Sequence, residues 1–231
     1  MKLKNKLISA LFASTLAWHS PVKAEESFFD DVACEARVDY LSEYFFRGVS
    51  YSQGEVMQGT LSLNKGPFTV IGFANKDLTT QDVNETDVTF DFSQDVGEKL
   101  RLSAGYTFLK FPGLEPSQTQ EVYAGATLKT FLNPSLKLVR DFEAGDGNYV
   151  EGTISHEVQV KDFPINLSAT IGYNDHYFRE DSGLSHLEMK ASTSISLSEN
   201  LTLSPYVSHS KSLDKDFNDE TYAGIGLSYK F

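Results

Sequence analysis

The C-terminal part of the chain alternates between apolar and polar residues with a period of two. In residues 221–231, one set of alternate positions holds Ala223, Ile225, Leu227, Tyr229 and Phe231. The positions between them hold Tyr222, Gly224, Gly226, Ser228 and Lys230. Successive side chains of a β-strand point to opposite faces, so this pattern predicts a strand with one apolar and one polar face.

The same alternation recurs along most of the chain, whereas apolar stripes with helical spacing are scarce. Residues 67–75 do not follow one phase cleanly. No apolar run after residue 24 approaches the roughly 20 residues that a membrane-spanning helix needs. The pattern predicts twelve strands, at residues 36–46, 56–65, 67–75, 85–95, 99–110, 118–129, 134–140, 148–160, 163–173, 185–197, 200–209 and 220–231.

Short and long connections alternate between these strands: residues 65–67 form a short one and residues 47–55 a long one. Bacterial outer-membrane barrels have short turns at one end and long loops at the other. A sheet in lipid must also close, because its edge groups find no water. We therefore predict an all-β fold, a transmembrane antiparallel up-and-down β-barrel of about 12 strands with both termini periplasmic. The alternative is a soluble sandwich or lipocalin-like barrel with an apolar interior.

The N-terminus has the layout of a secretory signal. Three lysines precede an apolar run at residues 7–18, and a small-residue cleavage site ends at Ala24. We assign residues 1–24 to a cleavable signal peptide, 25–35 to a short lead-in and 36–231 to the barrel. Removal of the signal takes four lysines and no acid, so the formal charge changes from -12 to -16. Such an acidic chain is a poor partner for nucleic acid.

The last strand resembles the C-terminal signal that the bacterial barrel-assembly machinery recognises. In that signal the final residue is aromatic, an aromatic or apolar residue lies two positions earlier, and a glycine lies five before the end. Phe231, Tyr229 and Gly226 stand at these positions. The resemblance implies that the assembly machinery is a partner, together with outer-membrane lipid and lipopolysaccharide.

Residues 40–59, YLSEYFFRGVSYSQGEVMQG, resemble the N-terminal signature of the proteobacterial TorF-type porins. That signature is roughly S-x-Y-x-x-R-G-x-S-x-S-x-G followed by Gln-Gly. The family's proline before the glutamine is absent, and the loop is about one residue shorter. The resemblance implies an outer-membrane β-barrel of the porin class and leaves the substrate open. The matching residues are Ser42, Tyr44, Arg47, Gly48, Ser50, Ser52, Gly54, Gln58 and Gly59.

The predicted strand phase places many charged residues on the polar face. Charges at membrane depth normally face water or charged partners, so these residues mark the lumen. A twelve-stranded barrel lies between filled eight-stranded and open sixteen-stranded barrels. The charges near Arg47 could therefore line a channel or form a plug of ion pairs. The predicted pore-lining residues are Asp39, Glu43, Arg47, Asp87, Asp91, Arg101, Glu151, Glu157, Glu188, Lys190 and Lys230.

Some small outer-membrane barrels are lipid-modifying enzymes, with a histidine and a serine two apart on one strand. No histidine after residue 24 is followed by a serine at this spacing. We therefore predict no enzyme and no catalytic residue. His176 lies near Glu180 and Asp181, but such acidic loops are typically solvated, so we predict neither a metal nor a cofactor. Cys34 is the only cysteine, which excludes an internal disulfide.

These features predict a porin-like channel of the bacterial outer membrane, exported through the periplasm, that passes small polar solutes or ions by diffusion. The lumen-phased charges are mixed and slightly acidic, and the long loops are more acidic. A weak preference for cations follows. The alternative is a non-transporting structural or adhesive barrel, and a third hypothesis is a lipid-modifying barrel enzyme.

Overall fold

The computed structural model describes residues 31–177 and 179–231. The predicted signal peptide lies outside the described residues. No helix in the described part is long and apolar enough to cross a membrane. The strands are β1 (Ala33–Leu41), β2 (Phe45–Phe46), β3 (Val49–Ser50), β4 (Val56–Lys65), β5 (Phe68–Asp77), β6 (Val83–Val96), β7 (Leu100–Lys110), β8 (Gln118–Leu128), β9 (Ser135–Asp141), β10 (Asn148–Val160), β11 (Phe163–Asp175), β12 (Ser182–Thr193), β13 (Ile195–Ser196), β14 (Leu201–Ser212) and β15 (Glu220–Lys230).

Twelve of these strands form a closed antiparallel barrel, which confirms the predicted all-β, twelve-stranded barrel. Each wall strand pairs with its neighbours in sequence, and β1 pairs with both β4 and β15. The short β13 continues the line of β12 and pairs with β14. Closure extends to the last residue, because the Phe231 amide donates to the Cys34 carbonyl at 2.9 Å. Every strand edge in the ring therefore has a partner, as a sheet in lipid requires.

The period-two alternation separates an apolar outer face from a polar inner face. Large apolar side chains are exposed around the outside, whereas the residues between them are more buried and polar. The soluble-barrel alternative is wrong, because it needs the apolar face inside. The exposed outer residues include Val38, Phe90, Leu136, Ile154, Leu167, Met189, Val207 and Leu227.

The first strand departs from its predicted bounds at both ends. It begins at Ala33, so the last residues of the predicted lead-in pair with β4. It ends at Leu41, not at residue 46 as predicted. Residues 42–55 then leave the wall and contain the two-stranded hairpin β2–β3. This segment, which we call the inner hairpin, determines the shape of the lumen near the long loops.

Candidate functional site

The inner hairpin lies inside the barrel, because its side chains contact wall strands on all sides. Tyr44 packs against Phe73 on β5 with ring centroids 6.3 Å apart. Phe45 packs against Tyr222 on β15 at 5.4 Å. Arg47 reaches Glu121 on β8, as described below. These three contacts span opposite parts of the ring, so the hairpin crosses the lumen.

A cluster of apolar and aromatic residues joins the hairpin to the wall near its base. Leu41, Tyr44 and Val56 are buried together, with Phe73 against them. Phe73 lies on the inner face of β5, which explains why residues 67–75 do not alternate cleanly: both faces of this strand carry apolar side chains. The Tyr44 amide also donates to the Ser52 hydroxyl at 2.8 Å, which fixes the return of the hairpin.

Arg47 stands at the tip of the hairpin and forms a buried ion pair across the lumen. Its Nη1 lies 2.9 Å from Glu121 Oε1, and its Nη2 lies 3.2 Å from Oε2, so the contact is bidentate. Only 4% of each side chain is exposed. The Tyr177 hydroxyl is hydrogen-bonded to both charged groups. Bidentate pairs between arginine and carboxylate are strong and fix the relative orientation of their partners.

Aromatic rings surround the guanidinium of Arg47. Its carbon lies 4.5 Å from the ring centroid of Phe46, 5.2 Å from that of Tyr149 and 4.8 Å from that of Tyr177. Burial disfavours the charge, but the interactions with Tyr177 and Glu121 outweigh it, so the pKa of Arg47 is raised. The guanidinium therefore stays charged, and its site is closed on several sides by rings.

The backbone of the tip is held by a second set of contacts. The Tyr149 hydroxyl donates to the Arg47 carbonyl at 3.2 Å and lies 2.8 Å from Ser185 Oγ. Arg47 and Gly48 adopt positive φ values of 51° and 86°. A Cβ atom at Gly48 would lie 2.9 Å from His186. At position 48, only glycine combines this positive φ with so close an approach to His186 without strain.

Ser185 and His186 form a serine–histidine contact that sequence spacing does not predict. Ser185 Oγ lies 3.0 Å from His186 Nδ1 although the residues are adjacent. A register shift between β11 and β12 makes this possible, because Gly172 pairs with His186 whereas the next residue pairs with Leu184. Ser185 is only 4% exposed and is enclosed by Tyr149. The pair therefore holds the hairpin and has no space for a substrate at the hydroxyl.

The sequence matches the family model described as "Bacterial protein of unknown function (Gcw_chp)" over residues 30–224. The chain belongs to the Gcw_chp family. No curated protein sequence matches it. The match covers the inner hairpin and all but the last residues of the barrel.

Solved structures similar to this Gcw_chp protein are outer-membrane barrels. The KdgM porin in complex with disordered oligogalacturonate has a TM-score of 0.56 at 14% identity, over 86% of this chain and 99% of that one. The NanC porin has a TM-score of 0.57 at 11% identity, over 86% and 100%. The COG4313 outer membrane channel from Pseudomonas putida F1 has a TM-score of 0.53 at 9% identity, over 92% and 100%. At these identities the similarity concerns the fold.

The predicted pore-lining residues of the Gcw_chp chain fall into three groups. Arg47 is part of the inner hairpin and not of a wall strand, and it is buried in its ion pair with Glu121. Glu43 lies beyond β1 and accepts a hydrogen bond from Ser50, so its predicted place on a wall strand is wrong. The remaining residues lie on wall strands at inner-phase positions. They are Asp39, Asp87, Asp91, Arg101, Glu151, Glu157, Glu188, Lys190 and Lys230.

Several of these wall residues have inner-face partners. Arg37 Nε donates to Asp39 Oδ2 at 2.7 Å. The Tyr123 hydroxyl donates to Asp91 Oδ2 at 2.5 Å. The Tyr222 hydroxyl donates to Glu188 Oε2 at 2.5 Å. Arg37, Tyr123 and Tyr222 were absent from the predicted set, although the alternation of their strands places all three on the inner face.

The three residues of the C-terminal motif lie on opposite faces of β15. Tyr229 and Phe231 are both exposed, with ring centroids 5.0 Å apart. Gly226 is on the inner face, where an added Cβ would collide with the side chains of Arg37 and Asp39. This glycine therefore leaves space for that ion pair. The proposed role of the motif in assembly stays a prediction.

His176, the loop histidine considered above as a metal ligand, has an acidic neighbour as its partner. His176 Nδ1 lies 2.8 Å from Asp175 Oδ1. Asp175 also accepts hydrogen bonds from Ser182 and Asn148. Within residues 31–177 and 179–231, no group of three or more histidine, cysteine or acidic side chains could hold a metal ion.

Proposed function

We propose that this Gcw_chp protein is an outer-membrane channel for small polar solutes, with the inner hairpin as its constriction. The closed barrel with an apolar outside and a charged inside carries the proposal, because charges at membrane depth are costly unless they face water or partners. Inner side chains at the short turns are well hydrated: Arg101 and Asp95 are 50% and 45% exposed. Water therefore enters the lumen from this end.

The hairpin limits what can pass to the long-loop end. Arg47, Glu121 and Tyr149 narrow the centre of the lumen, and each is almost fully buried. A channel with this constriction suits small solutes better than chains. We therefore extend the proposal to passive diffusion with a weak preference for cations, and to the porin class that the TorF-type signature implies.

The charge of the lumen distinguishes this chain from a carrier of acidic polymers. The KdgM porin was solved in complex with oligogalacturonate, whose sugars carry carboxylates. Near the hairpin of the present chain, inner-face acids such as Asp77, Glu151 and Glu188 predominate. Like charges repel in a narrow pore, so we do not extend that ligand class to this chain.

A second candidate is a non-transporting barrel, and the sealed ion pair of Arg47 and Glu121 favours it. Single-channel conductance of the purified barrel in a planar bilayer separates the two. We expect small, steady openings for the wild type and a several-fold larger conductance for Arg47→Ala. Asp95→Asn, which removes an exposed inner charge near the turns, is the matched control and should leave conductance close to that of the wild type.

The experiment can contradict either candidate. Silent wild-type and Arg47→Ala barrels that are folded, as judged by heat-modifiable migration, would establish the non-transporting barrel. Equal conductance of wild type and Arg47→Ala would show that a channel exists but that the hairpin does not restrict it.

A further inference from the structure

A chamber of about 250 Å³ lies between the inner hairpin and the wall. Its lining combines Phe45 and Phe46 of the hairpin with Tyr206 and Tyr222 of the wall. The chamber has room for several water molecules, or for one small ring-shaped solute in their place.

The polar lining of the chamber includes groups of both charges. Lys190 is cationic, whereas Glu151 and Glu188 are anionic. Arg47 is already neutralised by Glu121, and Glu188 accepts a hydrogen bond from Tyr222. An ion of either sign would therefore meet a like charge as well as an opposite one.

Two of these charges have no ion-pair partner. Among the described residues, no ion pair within 4.0 Å involves Lys190 or Glu151. The Lys190 ammonium instead lies 4.0 Å from the ring centroid of Tyr206. Ammonium groups only donate hydrogen bonds and carboxylates only accept them. A ligand that satisfies both must donate and accept, as a hydroxyl group does.

We propose that this chamber binds one neutral, polyhydroxylated ring, such as a monosaccharide. Its hydroxyls accept from Lys190 and donate to Glu151 and Glu188, and its C–H surface contacts the aromatic rings of the lining. The inference rests on the proposed function, because a solute on its way through the lumen must pass this chamber.

The opposite wall supplies a matched control for Lys190. Tyr206 lies over Gly224, and Tyr123 lies over Gly105 in the same way, because an added Cβ at either glycine would meet the tyrosine ring. Lys137 Nζ lies 4.3 Å from the ring centroid of Tyr123, just as Lys190 lies over Tyr206. Tyr123 and Lys137 are not part of the chamber lining.

The test is calorimetric titration of the detergent-solubilised barrel with D-glucose, D-galactose, D-galacturonate and glycine. We expect a neutral hexose to bind more tightly than the acid or the amino acid. Lys190→Met should weaken hexose binding about tenfold, the loss expected for a hydrogen bond to a charged group. Lys137→Met should bind hexose like the wild type.

Several outcomes would overturn the inference. They are absence of hexose binding to the folded wild type, tighter binding of galacturonate or glycine, and equal losses in the two lysine variants. Conductance in the planar bilayer is measured on the same preparation. A barrel that conducts but binds no hexose contradicts only the chamber, whereas one that binds hexose but never conducts contradicts the channel.

Discussion

The two ends of the lumen differ in how their inner side chains meet water. Near the long loops, in what we call the loop half, Asn75, Glu121 and Tyr149 are less than 5% exposed. Near the short turns, in the turn half, the side chains of Asp95, Arg101 and Lys129 are 41–50% exposed. The wall has the same strand geometry throughout, so the difference comes from the inner hairpin that fills the loop half.

The two halves also differ in charge. The turn half is mixed, with Asp95 close to both Lys129 and Arg101. In the loop half the acids predominate and few cations oppose them. Its inner-phase acids are Asp39, Asp77, Glu85, Asp87, Glu121, Asp141, Glu151 and Glu188, and its cations are Arg37, Arg47, Lys137 and Lys190. A buried excess of acid requires cations close by. The inner hairpin supplies one of these cations, Arg47, which is not part of a wall strand.

The largest expected difference between the halves is the cost of breaking their ion pairs. Arg47→Ala leaves Glu121 buried without its cation, which should lower the free energy of unfolding by about 3–5 kcal/mol. Asp95→Asn removes a partner from exposed pairs, whose contribution is typically about 0–1 kcal/mol. Urea unfolding of the two variants in lipid vesicles measures both values.

A double variant sharpens this result. If the cost of Arg47→Ala comes from the unpaired carboxylate, the added change Glu121→Gln should recover part of it, because a neutral amide is cheaper to bury. Equal losses for Arg47→Ala and Asp95→Asn would mean that the hairpin is not seated in the lumen.

The wall could be predicted from the sequence, whereas the filling of the loop half could not. A period-two pattern determines which face a residue occupies, and the bounds of β4 and β10 agree with the prediction. The side-chain hydrogen-bond partners of Arg47 lie 74 to 130 residues away in sequence, and no local pattern encodes them. One local signal exists: the consecutive aromatic residues 44–46 cannot alternate, which is unusual inside a wall strand.

The register shift at His186 could not be predicted from the sequence either. One additional residue on β12 brings Ser185 and His186 to the same face, and strict alternation places them on opposite faces. The strand alternation therefore does not identify the residues that hold the hairpin backbone. For most wall charges, in contrast, the alternation gives the face on which the structure has them. The sequence thus predicts the turn half better than the loop half.

A smaller effect is expected from glycine replacement at the two ends. Gly48 has φ 86° and would place a Cβ 2.9 Å from His186, whereas Gly97 has φ 64° with nothing within 4 Å. Gly97→Ala should lower the free energy of unfolding by about 1–2 kcal/mol, from the backbone conformation alone. Gly48→Ala should lower it by more and should also raise conductance, because the displaced hairpin tip opens the lumen.

Thermal unfolding followed by circular dichroism gives the stabilities, and bilayer recordings give the conductance. A Gly48→Ala barrel with wild-type conductance and the same loss as Gly97→Ala would show that the tip has space around it, contrary to the contact with His186.

The smallest expected effect is a weak preference for cations, which arises from the loop half. The acids there outnumber the cations, but many loop carboxylates are engaged: Asp77 accepts from the amides of Gln53 and Thr80, and Asp214 pairs with Arg179. The excess of acids over cations keeps the field of the pore entrance negative. It is screened over about 10 Å in 0.1 M salt, and less far at higher ionic strength.

The reversal potential under a KCl gradient measures this preference. We expect a modest selectivity for potassium at low salt that fades towards 1 M, where screening acts over about 3 Å. Glu151→Gln, in the loop half, should reduce it more than Glu157→Gln in the turn half, because the selective field belongs to the narrow end of the lumen. Anion preference at low salt, or an equal response of the two glutamate variants, would contradict the assignment of selectivity to the loop half.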